Sequence, residues 1–381
     1  MATLERYLLT DEQKDLQAMV REFADKEIIP RAKEYDLSGE YPKDLVKQAV
    51  DMGLTRLSLP KKYGGEAIDN QTYAIVKEEL ARGDAGFSVT IGACYLGVMP
   101  VKLFGNDKQM QKVADCLNSG GLMAFGLTEA AAGSDSASLK TTYVKDGDSY
   151  ILNGTKTFIT NASVASLYTI FATKDPSLGA KGISAFIVEA GTPGLSAGKE
   201  EDKMGIRLSN TGEVVLQDVR VPAENLLGEE GQGFKIAMNT LNQTRPTSGA
   251  GAIGNAMFAY EYALQYAKER KTFGKPIGKH QAVGFMLADM AIQLEAARQM
   301  VNYAARLMDS GIVVPRVFSS AKAFGSDVCM KVVLDAVQIV GGYGYSREYP
   351  LEKRLRDAKI YQIFEGTNQI QRVIISGQIL A

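Results

Sequence analysis

The chain lacks the residues on which several kinds of active site are built. Its 381 residues include no tryptophan, one histidine (His280) and three cysteines (Cys94, Cys116 and Cys329). A single imidazole nearly excludes a histidine-rich metal centre or a Ser-His-Asp triad. The cysteines lie far apart, with no metal-ligand spacing and no disulfide framework, which fits a reducing compartment. Any acid–base chemistry must therefore rest on carboxylates, lysine, tyrosine or a cofactor.

The chain also lacks an excess of charge and a long apolar run. Basic and acidic residues number 43 and 44, so the formal net charge is −1. This balance gives no electrostatic reason to expect a nucleic acid or a membrane surface as partner. No apolar run reaches the roughly 18 residues that span a bilayer, and the mixed charges at the start do not resemble a signal peptide. We expect a cytoplasmic protein without a metal, membrane or nucleic-acid partner.

The residue patterns divide the chain into three zones, which predict an α+β fold. The length predicts two or three packed subdomains rather than one core. Helical periodicity predicts an N-terminal helical domain over residues 1–121. Short β-prone runs separated by turn signals predict a central antiparallel β-barrel or sandwich over residues 122–232. Long helices rich in Ala, Met and Leu predict a C-terminal helical bundle over residues 233–381, which also packs against partner subunits.

Within these zones, individual elements are predicted by the period of the apolar residues and by turn residues. The predicted N-terminal helices begin at Asp11 and cover Pro42–Met52 and Asn70–Arg82. The predicted strands are Ser149–Leu152, Thr157–Thr160, Leu167–Ala172, Ala185–Val188 and Glu213–Leu216, with Asn153-Gly154 read as a turn. The predicted C-terminal helices are Phe234–Leu241, Gly251–Lys271, Ala282–Ser310 and Pro315–Val340.

Two segments combine small and polar residues with aromatic ones. In Phe125–Asp135, Gly133 and Ser134 can offer a backbone N–H and a hydroxyl to a phosphate or a carbonyl. In Phe158–Asn161, a phenyl ring can stack on a planar ligand while a threonine hydroxyl hydrogen-bonds it. Taken alone, the first segment is more simply a loop entering a strand, and the second a core strand with polar residues at its end.

The segment Tyr361–Arg372 holds a candidate base, Glu365. The apolar side chains before it favour a partly desolvated carboxylate, whose raised pKa suits a base near neutral pH. An exposed glutamate at a helix start is an equally good interpretation of these residues alone. Arg270–Gly274 can hold a pyrophosphate, but it is also typical of a helix end. Gln338–Gly344 is glycine-rich without the G-x-G-x-x-G spacing, so a Rossmann site is not expected.

Seven strings in this order resemble the acyl-CoA dehydrogenase family, its medium-chain branch especially, over essentially the whole chain. They are TEAAAGSD, FITN, AENLLGEEGQGFKIAM, LNQTRPTSGAGAIG, ERKTFGKPIGKHQ, QIVGGYGYSREYPLEK and RDAKIYQIFEGTNQIQR. The resemblance implies an N-terminal helical domain, a central β-domain and a C-terminal four-helix domain. It also implies an FAD cofactor between the last two domains, completed by a neighbouring subunit of a homotetramer, a dimer of dimers.

The resemblance further implies roles for individual residues. Glu365 would abstract the α-proton of an acyl-CoA substrate, while the β-hydride passes to flavin N5 and the electrons go on to an electron-transfer flavoprotein. The flavin ring would be lined by Phe125, Leu127, Thr128, Phe158 and Thr160. The rest of FAD would be bound by Arg270, Thr272, Phe273, Gln281, Gln338, Gly341 and Gly342, with Thr367 and Gln369 flanking it near the base. The substrate would be held by Ser134, Asn242 and Arg245 on its CoA portion and by Tyr95 and Gly366 on its acyl side.

The chain departs from the medium-chain pattern at four places. Phe158 stands where tryptophan is common, Asn242 where aspartate is usual, and Phe364 where tyrosine precedes the base. The segment Ile91–Leu96, which forms the floor of the acyl pocket in this family, also differs, and Tyr95 there can shorten the pocket or stack on a cyclic acyl group. The arginine of glutaryl-CoA enzymes has no counterpart around Ala85–Ser88, which argues against a dicarboxylyl substrate.

Three alternatives to the dehydrogenase remain open from the sequence. The same flavin and base would serve an enoyl-CoA reductase, because the reaction is the reverse. An acyl-CoA oxidase is disfavoured because those chains are usually longer. A non-catalytic CoA-binding member of the family is disfavoured because Glu365 and the flavin-contacting strings are present.

Overall fold

The computed structural model describes residues 9–381, which begin with a layer of helices. These helices are α1 (Asp11–Phe23), α2 (Ile29–Ser38), α3 (Lys43–Asp51), α4 (Asn70–Gly83), α5 (Ala85–Phe104) and α6 (Asp107–Asn118). Helix α1 begins where predicted because two hydrogen bonds cap its start. The Thr10 hydroxyl accepts one from the N–H of Gln13, and Gln13 Oε1 accepts the other from the N–H of Thr10. This reciprocal capping satisfies two backbone donors that a helix start leaves free.

Helix α5 corrects the expectation that no apolar run is long enough to cross a membrane. Its 20 residues pass that test by length and composition, but 72% of the most apolar window is buried inside the protein. Phe87, Cys94 and Val98 on this helix are fully buried in the core. The sequence pattern hid the run because Ser88 and Thr90 are polar, yet both are buried as well. Helix α5 is therefore packed as a core helix of the N-terminal layer.

A mixed sheet of eight strands forms the middle of the molecule. The strands are β1 (Met123–Gly126), β2 (Thr142–Asp146), β3 (Ser149–Thr160), β4 (Leu167–Thr173), β5 (Ile183–Glu189), β6 (Leu195–Glu200), β7 (Thr211–Pro222) and β8 (Leu226–Leu227). They pair in the order β6-β7-β3-β2-β4-β5-β8, with β1 added beside β4. Most pairs are antiparallel, as predicted, but β1 and β2 each pair with β4 in parallel.

The predicted turn at Asn153-Gly154 was wrong, because this pair lies inside β3. The register between β3 and β7 shifts between Leu152 and Gly154, which marks a β-bulge. Gly154 has φ +151°, and a Cβ there would crowd the side chain of Thr141. The glycine therefore serves a bend and a close approach within one strand, and the two predicted strands on either side of it are continuous.

The C-terminal part returns to helices. They are α7 (Gly233–Glu269), α8 (Gln281–Asp309), α9 (Pro315–Val340), α10 (Leu351–Ile360) and α11 (Asn368–Ile379), with a small hairpin of β9 (Lys271–Thr272) and β10 (Lys275–Pro276) after α7. Helix α9 has the predicted bounds. The predicted helices Phe234–Leu241 and Gly251–Lys271 are one helix of 37 residues, α7, which runs through Pro246. Packing overrides the low helix propensity of this stretch, because Gly249 and Gly254 let α9 and α4 approach its backbone closely.

Three hydrophobic cores hold the layers together. The first joins the N-terminal helices to one face of the sheet and to the start of α7. The second fills the C-terminal helical bundle and includes Tyr361, close to the candidate base. The third lies within the sheet domain. Helix α7 packs on α4 as well as on the C-terminal helices, so Lys77 of α4 and Thr244 of α7 both act on Glu365 in the loop between α10 and α11.

Candidate active site

The loop between α10 and α11 holds Glu365 in an unusual backbone conformation. Glu365 has φ +53° and Gly366 has φ +89°. A residue with a side chain in this left-handed region costs about 1–3 kcal/mol and is retained where the surroundings enforce it. The enforcing contacts come from Lys322 Nζ, which donates to the C=O of Gly366 (2.8 Å), and from Gln371 Nε2, which donates to the same oxygen (2.9 Å). The main chain at this point is therefore held in place, which fixes the position from which the Glu365 side chain extends.

Burial and four neighbours set the pKa of Glu365. Burial raises its pKa above the ordinary 4.5, and this effect prevails over the groups that lower it. The strongest of those groups is Thr244 on α7, whose hydroxyl donates to Oε2 at 2.8 Å. The cations Lys77, Lys322 and Arg245 also lower the pKa. The residue keeps partial exposure, so the carboxylate is desolvated by protein but still borders open space.

Two polar atoms of Glu365 remain available. Within residues 9–381, neither its backbone N–H nor its Oε1 forms a hydrogen bond. A free N–H can donate to a carbonyl oxygen, and a free carboxylate oxygen can accept a proton. One residue thus offers both a base and a hydrogen-bond donor.

The structure brings together the two segments predicted to line a flavin ring. The N–H of Thr157 donates to the C=O of Thr128 (2.9 Å), and Asn161 Nδ2 donates to the C=O of Met123 (3.1 Å). Among the residues predicted there, Leu127 is buried, Phe125, Thr128 and Thr160 are partly exposed, and Phe158 is exposed. A mixed wall of apolar and hydroxyl groups results.

Phe158 is the most unusual member of this wall. Its ring is 64% exposed and its φ is +56°, while Asn161 after it has φ +64°. A large apolar ring held in a strained conformation and left open to solvent is typical of a ligand contact. Behind it, the buried Lys156 ammonium pairs with the Glu129 carboxylate at 2.7 Å, which ties β3 to the loop after β1.

The residues predicted to bind the remainder of FAD lie in a different place. Arg270, Thr272 and Gly342 line a cavity of about 500 Å³ between the α7 end and the turn after α9. Phe273, at the tip of the hairpin, is 95% exposed. The other predicted members, Gln281, Gln338 and Gly341, are exposed near the ends of α8 and α9. The cavity does not include Glu365 in its lining.

The residues predicted to hold the substrate are only partly brought together. Arg245 is buried, its Nη1 donates to Asn242 Oδ1 (2.6 Å), and its Nε has no partner within the described residues. Ser134 is exposed in the loop after β1 and, among the described residues, forms no hydrogen bond with Asn242 or Arg245. Tyr95 is buried with one face stacked on Tyr73, at 4.0 Å between ring centroids, and its hydroxyl donates to Asn70.

The last two predicted residues, Thr367 and Gln369, follow the base at the start of α11. Thr367 is partly exposed, and its hydroxyl accepts a hydrogen bond from the N–H of Ile370 (3.2 Å), so it caps the helix. Gln369 is exposed. Both lie within four residues of Glu365 in the sequence.

Sequence reasoning missed three residues beside the base: Thr244, Lys77 and Lys322. Thr244 precedes Arg245 in one of the strings quoted above, so its position in the site was within reach. Lys322 is fully buried in the middle of α9, where a lysine among apolar residues reads as a surface position. Lys77 is likewise buried on α4. Neither lysine can be recognised from the sequence pattern, because Glu365, which acts on both, is far from them in the sequence.

Family comparisons identify the chain as a whole. Three family models match it in order: the acyl-CoA dehydrogenase N-terminal domain over residues 10–121, the middle domain over 124–219 and the C-terminal domain over 231–380. The fold of two helical domains around a sheet domain, with a buried carboxylate between them, is that of a flavoprotein oxidoreductase. The chain belongs to the acyl-CoA dehydrogenase family.

Relatives with curated descriptions match almost end to end. An acyl-CoA dehydrogenase of Bacillus subtilis is 46% identical over 374 residues, covering 98% of this chain and 99% of the relative. A short-chain specific acyl-CoA dehydrogenase of Megasphaera elsdenii is 46% identical over 378 residues, with the same coverage.

Solved structures show the same fold. Butyryl-CoA dehydrogenase from Megasphaera elsdenii superposes with a TM-score of 0.96 at 45% identity, covering 99% of this chain and 100% of the other. A structure from work on the electron transferring flavoprotein of Acidaminococcus fermentans gives the same values. An FAD complex of PigA superposes with a TM-score of 0.92 at 30% identity, covering 98% and 99%.

Proposed function

We propose that this acyl-CoA dehydrogenase removes hydrogen across the α,β bond of an acyl-CoA thioester to give the trans-2-enoyl-CoA, with Glu365 as the base. The observation that carries the proposal is the state of Glu365 itself. Burial raises its pKa, Thr244 engages only Oε2, and Oε1 faces open space. A carboxylate with this environment accepts a carbon-bound proton better than an ordinary surface glutamate near neutral pH.

The backbone of the same residue supports activation of the substrate. Removal of an α-proton places negative charge on the thioester oxygen, and a fixed donor aimed at that oxygen lowers the barrier. The N–H of Glu365 is free to donate within residues 9–381. Because Lys322 and Gln371 hold the next carbonyl, this donor is already positioned before substrate binds. The carboxylate then acts on the α-carbon of the substrate, and the N–H acts on the oxygen of the neighbouring thioester carbonyl.

The cofactor is FAD, and the residues present fit it. The exposed Phe158 ring and the adjoining Phe125–Thr128 segment offer an apolar wall with hydroxyl groups to an isoalloxazine ring. Gly341 and Gly342 leave open space where a Cβ would stand, next to the cavity that Arg270 lines, and an arginine there suits a pyrophosphate. When bound, FAD supplies a hydride acceptor at N5 and a store for two electrons.

The CoA portion is assigned to Ser134, Asn242 and Arg245. Arg245 keeps an unpartnered Nε in a buried position, and Asn242 fixes the other side of its guanidinium. A buried cation without a complete set of partners is stabilised by an anionic or carbonyl oxygen of a ligand. Gly366, beside the base, would lie against the thioester.

The electron acceptor is proposed to be an electron-transfer flavoprotein, and the assembly a homotetramer. The first part rests on the likeness to the structure described with the Acidaminococcus flavoprotein. The second is supported by apolar side chains left exposed on one chain, including Phe273, Phe285 and Ile292. The Arg270 cavity does not include Glu365 in its lining, which also suits a cofactor shared between subunits. A cytoplasmic location stays a prediction.

Anaerobic reduction of the flavin tests the function. The purified flavoprotein is mixed with acyl-CoA thioesters that are short, linear, branched, cyclic or aryl-substituted, and bleaching of the oxidised flavin band is followed. At least one thioester should bleach it, and enoyl-CoA should form in equal amount. Reoxidation by an electron-transfer flavoprotein should exceed reoxidation by O₂. A flavin that no thioester reduces, or a protein that stays colourless with added FAD, would contradict the proposal.

The variant Glu365→Gln separates the base from the cofactor site. It should retain bound FAD and bind acyl-CoA, but lose reduction by a factor of about 1,000 or more, since general-base catalysis contributes roughly 100- to 10,000-fold. The exposed Glu66→Gln makes the same chemical change away from the site and should reduce at the wild-type rate. Activity of Glu365→Gln above a few per cent would reject the assignment of the base.

A further inference from the structure

Lys322 is a buried cation whose ammonium reaches the loop that carries the base. It lies in the middle of α9 with none of its surface exposed. Its Nζ donates to the C=O of Gly366 at 2.8 Å and to Oδ1 of Asn368 at 3.0 Å. A buried ammonium is costly unless its three donors find acceptors. Two of them are used by residues that follow Glu365 directly, so the lysine is tied to the position of this loop.

Asn368 joins the ammonium to a closed turn, residues 362–368, which we call the base loop. The N–H of Asn368 donates to the C=O of Gln362 at 3.0 Å and so connects the two ends of the base loop. Its side chain accepts from the hydroxyl of Ser326 (3.2 Å) and donates to Asp327 Oδ1 (2.8 Å), both on α9. The base loop is therefore anchored on the helix from which Lys322 extends.

The backbone at the centre of the base loop needs this support. Glu365 has φ +53°, a conformation that a residue with a side chain keeps only where its surroundings enforce it. The second support is Gln371 Nε2, which donates to the C=O of Glu365 (3.1 Å) and to that of Gly366 (2.9 Å). Hydrogen bonds from a charged donor are the stronger kind. Without Lys322, the Gly366 oxygen would keep only the neutral amide among its partners in the described residues.

We infer that Lys322 is a positioning residue for proton abstraction, which holds the Glu365 carboxylate at the α-carbon of the substrate through the C=O of Gly366 and the side chain of Asn368. The inference rests on the proposed function, because it concerns the base of the same reaction. A base must lie within hydrogen-bond reach of the proton that it removes, and a displacement of about 1 Å can cost roughly 100-fold in rate. Within residues 9–381, Lys322 forms no ion pair with the carboxylate itself, so it acts through the main chain.

The charge of Lys322 has a second effect that can be separated from its hydrogen bonds. It lowers the pKa of Glu365, against the larger effect of burial. Burial lowers the pKa of Lys322 to about 8, so the ammonium is mostly charged at neutral pH. Loss of this charge makes the base stronger once it is deprotonated, whereas displacement of the base slows the reaction. The other titratable or charged groups that act on these two residues are Lys77 and Tyr73 on α4, Tyr95 on α5, Arg245 on α7 and Asp327 on α9.

The variants Lys322→Met and Lys322→Gln distinguish the two effects in anaerobic flavin reduction. Both side chains lack the charge and are one bond shorter than lysine, but only glutamine can donate a hydrogen bond. Both variants should move the acid limb of the reduction rate to higher pH. On the plateau with saturating acyl-CoA, Lys322→Met should reduce its flavin roughly 10- to 100-fold more slowly than the wild type, and Lys322→Gln should recover part of this loss. The affinity for acyl-CoA should change little.

The matched control is Lys77→Met. Lys77 also lowers the pKa of Glu365, but its Nζ donates to the C=O of Ser88 on α5 rather than to the base loop. This variant should move the acid limb without loosening the base loop. Hydrogen exchange of a peptide covering the base loop, measured on the holoprotein without substrate, reports the difference. Exchange should be about 10-fold or more faster in Lys322→Met, the size of one hydrogen bond to a charged group, and unchanged in Lys77→Met.

The outcomes decide between a positioning role and a merely structural one. A plateau rate of Lys322→Met equal to that of the wild type, or a Lys322→Gln no faster than Lys322→Met, would overturn the inference. Flavin content and melting temperature check that each variant is folded. If Lys322→Met does not fold, Lys322→Gln decides, because a shorter neutral donor cannot replace both contacts of the ammonium, and a wild-type plateau rate would then reject the role.

Failure of this inference is distinguishable from failure of the proposed function. If a thioester reduces the wild type and Lys322→Met equally fast, the inference fails and the proposed function stands. If no thioester reduces the wild type, the proposed function fails, and the exchange measurement still reports whether Lys322 holds the base loop.

Discussion

The hydroxyl of Thr244 donates a hydrogen bond of 2.8 Å to Oε2 of Glu365, although 121 residues separate them in the sequence. This contact leaves the other oxygen free and lowers the pKa of the carboxylate against the effect of burial. It is therefore a positioning contact with a measurable electrostatic consequence.

Replacing Thr244 by valine should raise the pKa of Glu365 further, because the hydrogen bond to the charged form is lost while burial remains. We expect the acid limb of kcat/KM to move to higher pH and the rate at neutral pH to fall about tenfold, the size of one charge-assisted hydrogen bond. Thr247→Val is the matched control, because its hydroxyl donates to the C=O of Thr244 on the same helix rather than to the base. An unchanged pH profile in Thr244→Val would show that the contact does not tune the base.

The pH dependence of the wild type follows from the raised pKa of Glu365. The base must be deprotonated, so kcat/KM should fall as pH decreases through a pKa above the ordinary 4.5. Lys77 and Lys322, each with a pKa lowered to about 8, lose charge only toward the upper end of the pH range, and Arg245 stays charged, so none of them shapes the acid limb. Steady-state rates with a fixed thioester between about pH 4.5 and 8 measure it. Activity that persists undiminished to pH 4.5 would contradict the assigned desolvation.

The Glu129–Lys156 pair should stabilise the wall of the flavin site. Burial alone would raise the pKa of Glu129, but the Lys156 ammonium and the N–H groups of Lys140 and Thr141 outweigh it, so the net shift is downward. Glu129→Gln leaves Lys156 buried without its counter-charge and should lower the free energy of unfolding by about 3–5 kcal/mol. The lowered pKa of Glu129 means that the pair's contribution is present at neutral pH and lost in acid.

Chemical denaturation and FAD content measure this effect. The matched control is Asp146→Asn, which breaks an exposed ion pair with Arg220 and should cost at most about 1 kcal/mol. Equal losses in the two variants would argue against a special role for the buried pair.

Close packing of α4 on α7 gives a prediction about the fold. A Cβ at Gly254 would overlap the C=O of Glu78, so Gly254→Ala should destabilise the protein by about 1–3 kcal/mol despite the better helix propensity of alanine. Gly377 in α11 has nothing within 4 Å of its Cβ position, and Gly377→Ala should be neutral or stabilise by up to about 1 kcal/mol. The sign of the difference in melting temperature checks both.

The sequence predicted the parts of the fold that local chemistry determines. Helix α9 was found by its stripe of apolar residues and its Ala, Met and Leu content, and α1 by the helical period of the apolar residues that follow Asp11. Helix α7 was split in two because Pro246 and its glycines read as breakers, whereas contacts with α4 and α9 keep it continuous. The Asn153-Gly154 pair was read as a turn because that dipeptide suits a turn locally, and only pairing with β7 shows the bulge.

For the site, the sequence pointed to Glu365 and to the residues adjacent to it, but not to the groups that set its chemistry. Thr244, Lys77 and Lys322 reach it from three helices, and their role depends on distances that no spacing encodes. Arg270 was expected to reach the cofactor across a subunit interface, and in a single chain the cavity that it lines does not include Glu365. The groups that surround the base and the location of Arg270 relative to the base are both known only once the helices are packed.

The clamp on the carbonyl of Gly366 has a consequence for the freedom of the base. Since Lys322 and Gln371 immobilise the peptide unit after Glu365, most of the remaining motion is in the side-chain torsions of the glutamate. Little conformational entropy is left to be lost when a substrate arrives. The same rigidity removes tolerance, because a shorter aspartate at this position would have no flexible main chain with which to recover the missing reach.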